Sequence, residues 1–207
     1  MKQLARKVSE YLGQEMELDQ DTRDIITFGL ETLLVNLVGL AGALTLSWLL
    51  DCLPVTLLLI ILAVVLRFVA GGAHLSSAWR CAILTTAIFP MLAKLSIYMA
   101  SVLHSNVVLP VILGNGLLAL VVFWRLAPVD TPAKPIRTMH HQRRLKKLSM
   151  LFALGLIVIQ LVLYFTGNIV LVLALSIGLL WQTFVISRPG QWLMEGIDVV
   201  FGKVIRV

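Results

Sequence analysis

The sequence predicts an all-α, polytopic membrane protein with about six transmembrane helices, an N-terminal amphipathic helix and both termini in the cytoplasm. Three observations carry that prediction. Residue usage across 207 residues is 59% hydrophobic and only 14% charged, with a mean hydropathy of +0.94, far too apolar for a soluble domain. The apolar residues gather in six runs, each near the roughly 17–25 residues that cross a bilayer. The basic residues collect in alternate loops, as the positive-inside rule requires of cytoplasmic ones.

Residues 1–24 make the amphipathic start, with Leu4, Val8, Tyr11 and Leu12 at helical spacing and Lys and Glu on other faces. Two placements fit it: a helix lying in the headgroup plane, or a solvent-facing helix packed on the cytoplasmic loops. Charge is spread through this stretch and it lacks an apolar core, so no cleavable signal peptide is expected and the chain is expected to be retained whole. Residues 26–187 form the six-span core, with spans at 26–50, 53–69, 82–102, 107–126, 150–166 and 169–187, and residues 188–207 form a cytoplasmic tail. The whole of 1–207 reads as one integral membrane domain. Pro54 sits at a span start, where a missing N–H does no harm, whereas Pro90 inside the third span implies a kink or a backbone satisfied in another way.

Lys2, Arg6, Lys7 and Arg23 precede the first span, Arg67 and Arg80 lie between spans two and three, seven more lie between spans four and five, and three follow span six. The loops around Asp51-Cys52, His104-Ser105-Asn106 and Gly167-Asn168 hold no Lys or Arg. Both termini and the segment from His74 to Cys81 therefore face the cytoplasm. The net charge of +6 follows from this placement, so it points to anionic lipid and not to nucleic acid. Cys52 and Cys81 fall at opposite edges, a bilayer apart, and cannot pair within one subunit. Cys81 is expected to be a free thiol.

Ionisable groups at membrane depth are candidate functional residues. Span one carries Glu31 and Asn36 and span three carries Lys94, so a Glu31–Lys94 pair is one arrangement. Snorkelling of each charge to the interface is the other. The loop from Arg125 to Lys147 opens with a proline-rich, extended part and closes with the basic run His140-His-Gln-Arg-Arg-Leu-Lys-Lys147. That run suits anionic headgroups or an acidic partner. His140 and His141 are sequence neighbours that do not share a helix face, and no metal site or cofactor is expected.

One segment brings a nucleophile and a base close together: Arg67-Phe-Val-Ala-Gly-Gly-Ala-His-Leu-Ser-Ser-Ala-Trp-Arg-Cys81. His74 and Cys81 are seven apart, about 20° in projection and two turns along a helix. The glycines at 71 and 72 permit a bend that would draw them together. Cysteine attacks as its thiolate, and a free thiol is only a few per cent ionised at neutral pH. His74 could take the proton, Arg67 or Arg80 would favour the anion, and the same His74 would later protonate a departing amine. That is the logic of a cysteine peptidase dyad. The alternative is that His74 is a polar residue at a helix end and Cys81 a small buried one.

The segment resembles the accessory gene regulator B (AgrB) family, marked by a basic residue, a Gly-Gly-x-His step and a Cys seven residues past the His, which Arg67, Gly71, Gly72, His74 and Cys81 match. Ala127-Pro128 followed by Lys134-Pro135-Ile136 resembles a second mark of that family. Length, amphipathic start and six-span layout extend the likeness over most of the chain. Glu31 and Gln182 fall where the family often carries polar residues. The resemblance implies a thiol protease of the bacterial cell membrane, with its active site on the cytoplasmic side. Cys81 would be the nucleophile and His74 the base in trimming a small AgrD-like precursor peptide of a quorum-sensing autoinducer. It further implies that the acyl-enzyme passes its peptide to an internal Cys or Ser, closing a thiolactone or lactone, and it admits a homodimer. Gly71 and Gly72 could admit the substrate backbone or offer N–H groups to an oxyanion.

Two other classes compete. A small transporter or channel would use Glu31 and Lys94 along a polar path and leave Cys81 dispensable. A haem or metal protein would draw on His74, His104, His140 and His141, but His104 falls on the opposite side from the rest.

Overall fold

The structure, a computed structural model, describes residues 2–16, 18–72, 75–129 and 138–204. His74 and the Lys134-Pro135-Ile136 stretch lie outside the described residues. The order is α1 (Lys2–Glu15), α2 (Gln20–Leu49), α3 (Leu53–Ala70), α4 (Ala78–Val102), α5 (Ser105–Leu126), α6 (Met139–Phe165), α7 (Ile169–Ile186) and α8 (Arg188–Val204). Helices α2 to α7 are the six long and apolar enough to cross a membrane. The chain is thus an all-α polytopic membrane protein, and the expected spans coincide with these helices apart from three starts, α4 beginning at Ala78 and so taking in Cys81. Helix α2 begins at Gln20 and α6 at Met139, because a helix continues through polar turns where hydropathy sees only its apolar part. Thr138 caps α6 by accepting from the His141 N–H at 3.3 Å, so the basic run forms the first turns of that helix.

Residues 1–24 are not one helix. The chain turns after Glu15, and Arg23 of α2 clamps the turn, donating from Nε to Leu18 O at 2.9 Å and from a terminal nitrogen to Gly13 O at 2.8 Å. Ser9 Oγ donates to Arg23 O at 2.7 Å. The face of α1 that meets α2 is the small stripe Ala5, Ser9 and Gly13. Leu4, Val8 and Tyr11 point away and stay exposed, as the headgroup-plane placement requires.

Between apolar helices in lipid there is little hydrophobic drive, so close backbone approach and polar ties hold the bundle. On α2 the buried stripe is Val35, Gly39, Ala43 and Ser47. A Cβ on Gly39 would stand 2.8 Å from the Cβ of Ala82 in α4, and Thr86 Oγ1 donates across the same contact to Gly39 O at 3.0 Å. Helix α7 is the central post, with 61% of its apolar window buried against 11% for α2. Asn115 of α5 donates to Ser176 O of α7 at 2.6 Å, and Ser176 Oγ donates to Gln160 of α6.

Helix α4 runs through Pro90, and the Pro90 carbonyl accepts from Cys52 Sγ at 3.8 Å. The Gly39–Ala82 and Gly42–Thr86 contacts set α2 and α4 parallel in register. Glu31 therefore lies level with the start of α4 and Lys94 level with the end of α2, about 30 Å apart along the axis. No Glu31–Lys94 ion pair forms: Lys94 is exposed near the far end and Glu31 is half-buried near the other.

Candidate functional site

The site sits where α3 stops and α4 starts. Helix α3 ends because Gly71 takes φ 75°, with its N–H donating to Arg67 O at 3.0 Å. Only glycine suits this position. A Cβ there would stand 2.5 Å from Val129 O, and the Val129 N–H donates to Ala70 O at 2.9 Å. The segment after α5, where Ala127-Pro128 lies, thus docks onto the glycine step, so the first half of the second sequence mark meets the first. Gln182 of α7 is almost wholly buried and donates from Nε2 to Gly71 O at 2.8 Å. Gly72, at φ 155°, lies against the Val185 and Gln182 side chains.

The bend expected at the glycine pair is present: the chain leaves α3 at Ala70 and re-enters helix at Ala78, so Arg67 and Cys81 stand on separate helices. The antiparallel hairpin of α3 and α4 sets Arg67 of the last turn of α3 and Cys81 of the first turn of α4 on the wall of one cavity of about 40 Å³. Leu75, Trp181, Gln182 and Met194 are among the other residues that line it. That volume holds about one water. Cys81 is a half-buried free thiol whose N–H donates to Ser77 O at 3.2 Å. The N-cap residue Ser77 makes no side-chain cap bond to α4, and Cys81 stands in the first turn, near the positive end of the helix dipole. A far larger hollow of about 680 Å³ between α3, α6 and α7 is lined by Leu, Ile, Val, Phe and Gly alone. It lacks a reactive group and reads as a lipid-facing groove.

Arg80 is turned to other work. Its guanidinium donates to Asp198 Oδ1 of α8 at 2.9 Å and to Ser76 Oγ at 3.0 Å, while the Ser76 N–H donates to Asp198 Oδ2 at 2.6 Å. Burial works to raise the Asp198 carboxyl, but the bonds from Arg80 and Ser76 outweigh it and hold the group below the usual carboxylate range. Arg67 is left as the cation on the cavity wall with Cys81.

The sequence reading missed Asp198, Met194 and Val129, and it carried over no role for Gln182. The tail that it left without structure is α8. Trp192, Gly196, Val199 and Val200 line up on one face of 188–204, and Pro189 in the first turn is a start signal; that pattern could have shown the helix.

The family model for accessory gene regulator B matches residues 5–186. The chain is similar to two proteins of Clostridium perfringens named as AgrB-like. One, of strain SM101, is 26% identical over 213 residues. The other, of strain 13, is 27% identical over 214, and in both cases the match covers 98% of each chain. It is also similar to an AgrB-like protein of Clostridium acetobutylicum, 25% identical over 163 residues, 79% of this chain and 75% of that one. No solved structure matches.

Proposed function

The chain belongs to the accessory gene regulator B family of membrane proteins, associated with peptide processing in quorum sensing, and from that premise we propose that it is a cysteine endopeptidase acting on an AgrD-like precursor peptide. The single observation that carries the reading is the cavity shared by Cys81, Arg67 and Gln182 beside the glycine step. Cys52, by comparison, is fully buried at the other end of the bundle.

In this reading the Cys81 thiolate attacks the scissile carbonyl, and the C–N bond breaks as His74 returns its proton to the leaving amine. The product is a thioester on Cys81. A Cys or Ser of the bound peptide then attacks that thioester, closing the ring and releasing the Cys81 thiol. Turning an amide into a thioester is uphill, so water must be kept from the acyl-enzyme until the internal nucleophile arrives. A cavity this small, walled by Leu75, Trp181 and Met194, suits that need.

Oxyanion stabilisation narrows to one glycine. The Gly71 N–H is committed to Arg67 O, whereas the Gly72 N–H has no hydrogen bond among the described residues. Gly72 is the donor this reading favours. Replacing Gly71 by Ala would not test the idea, because the added Cβ disturbs Val129 whatever the chemistry.

Among the described residues, α1, the basic start of α6 and α8 stand at the same end of the bundle as Cys81, and the positive-inside rule supports reading that end as cytoplasmic. Membranes holding wild type, Cys81→Ala or His74→Ala with a co-expressed candidate precursor test the proposal. Loss of the C-terminal fragment in both variants, at unchanged protein level, is expected. Undiminished cleavage in Cys81→Ala would sink it.

A further inference from the structure

Helix α8 lies beyond the residues matched by the family model, yet it walls the Cys81 cavity. It turns away from α7 at Ser187, where Pro189 forbids the helix to continue. Its inward face carries Met194, which is buried and lines the cavity, and Asp198 one turn on. Its outward face carries Trp192, Val199 and Val200, all exposed, a pattern suited to the bilayer surface.

The cavity has room for about one water molecule and none for a peptide, so a wall must give before a scissile carbonyl can reach Sγ. Three walls are fixed. Arg67 and Cys81 belong to packed helices, and Gln182 is tied to Gly71 O and buried in α7. Helix α8 instead follows a break, and at its far part it is held to the loop after α3 by Asp198, through Ser76 and Arg80. That pair is shielded, with side-chain exposures of 21% and 20%, so it counts for more than an open surface ion pair. It remains close enough to the surface to be broken and remade.

We propose that α8 is the movable cover of the Cys81 cavity and that Asp198 is its latch, so that a peptide held at the bilayer surface gains the thiol by displacing α8 from Ser76 and Arg80. Asp198 touches no reacting atom and is a positioning residue. The effect on cleavage rests on the peptidase reading above; the effect on thiol access does not.

The test compares thiol modification by a small reagent, methyl methanethiosulfonate, and a bulky one, a polyethylene glycol maleimide, in membranes, with Cys52 and Cys81 distinguished by peptide mass mapping. Wild type should react at Cys81 with the small reagent and slowly with the bulky one. In Asp198→Ala the bulky reagent should gain about tenfold, the scale of one lost charge-assisted hydrogen bond. Cys52 should stay unmodified, showing that the bundle is intact. Asp198→Glu should keep the discrimination, and Asp198→Asn, which retains an acceptor for Ser76, should fall between. A precursor that must pay to open the cover should show a lower KM in Asp198→Ala, which a merely structural role would not produce. Equal bulky-reagent rates in wild type and Asp198→Ala overturn the proposal. A wild type that cuts no precursor but shows the size discrimination removes the peptidase reading and leaves the cover standing.

Discussion

The two cysteines of this chain occupy opposite ends of one bundle in contrasting surroundings. Cys52 is buried just before α3, its sulfur 3.7 Å from Thr56 Oγ1 and 3.8 Å from Pro90 O. It belongs to an apolar cluster with Val55, Leu59, Phe89 and Ala93, so the thiol fills space and ties α3 to α4. Cys81 is half-buried at an uncapped helix start, with Arg67 across a small cavity and a bonded glycine step beside it. On the peptidase reading, the helix end, the facing charge and the access are what set Cys81 apart from Cys52.

The sharpest way to break this comparison is to measure it. At neutral pH a small thiol reagent should modify Cys81 at least about a hundredfold faster than Cys52, whose access requires the core to open. Similar rates would erase the distinction. The next effect should come from Gly71→Ala, which forces a Cβ against Val129 O at a positive φ and should cost about 2–4 kcal/mol. Thermal denaturation in detergent would register that loss, while the neighbourhood of Cys52 should stay protected from reagent because no contact at that end involves the glycine step.

The smallest effect is on acidity. Folding lowers the Asp198 carboxyl below its ordinary value, so the latch contributes fully above the unfolded aspartate range near pH 4 and is lost as pH falls through the lower folded value. With a dipyridyl disulfide reagent that works in acid, Cys81 access should be level from pH 7 to about 5 and should rise only below about 4. Access that rises already between pH 7 and 6 would assign the latch to another group.

What the sequence made legible and what it hid divide along the range of the contacts. Six apolar runs and alternating basic loops are local signals, and they located α2 to α7 and placed every basic loop at one end. The glycine pair likewise announced a break. A hairpin that folds back, and not a shared helix face, is what sets Arg67 and Cys81 on one cavity. Gln182 and Asp198 act across 111 and 122 residues of chain, and neither carries a local mark of its role. Glu31 and Lys94 looked like partners by chemistry alone, and only the register of α2 against α4 shows that they stand at opposite ends.

The most direct test of the central claim is to trap the acyl-enzyme. Purified protein in lipid nanodiscs, mixed with precursor and quenched in acid, should gain the mass of the N-terminal peptide fragment at Cys81. Hydroxylamine should remove that mass, and Cys81→Ala should never acquire it. Precursor cleavage with no hydroxylamine-labile adduct at Cys81, or with the adduct at Cys52, would contradict the account.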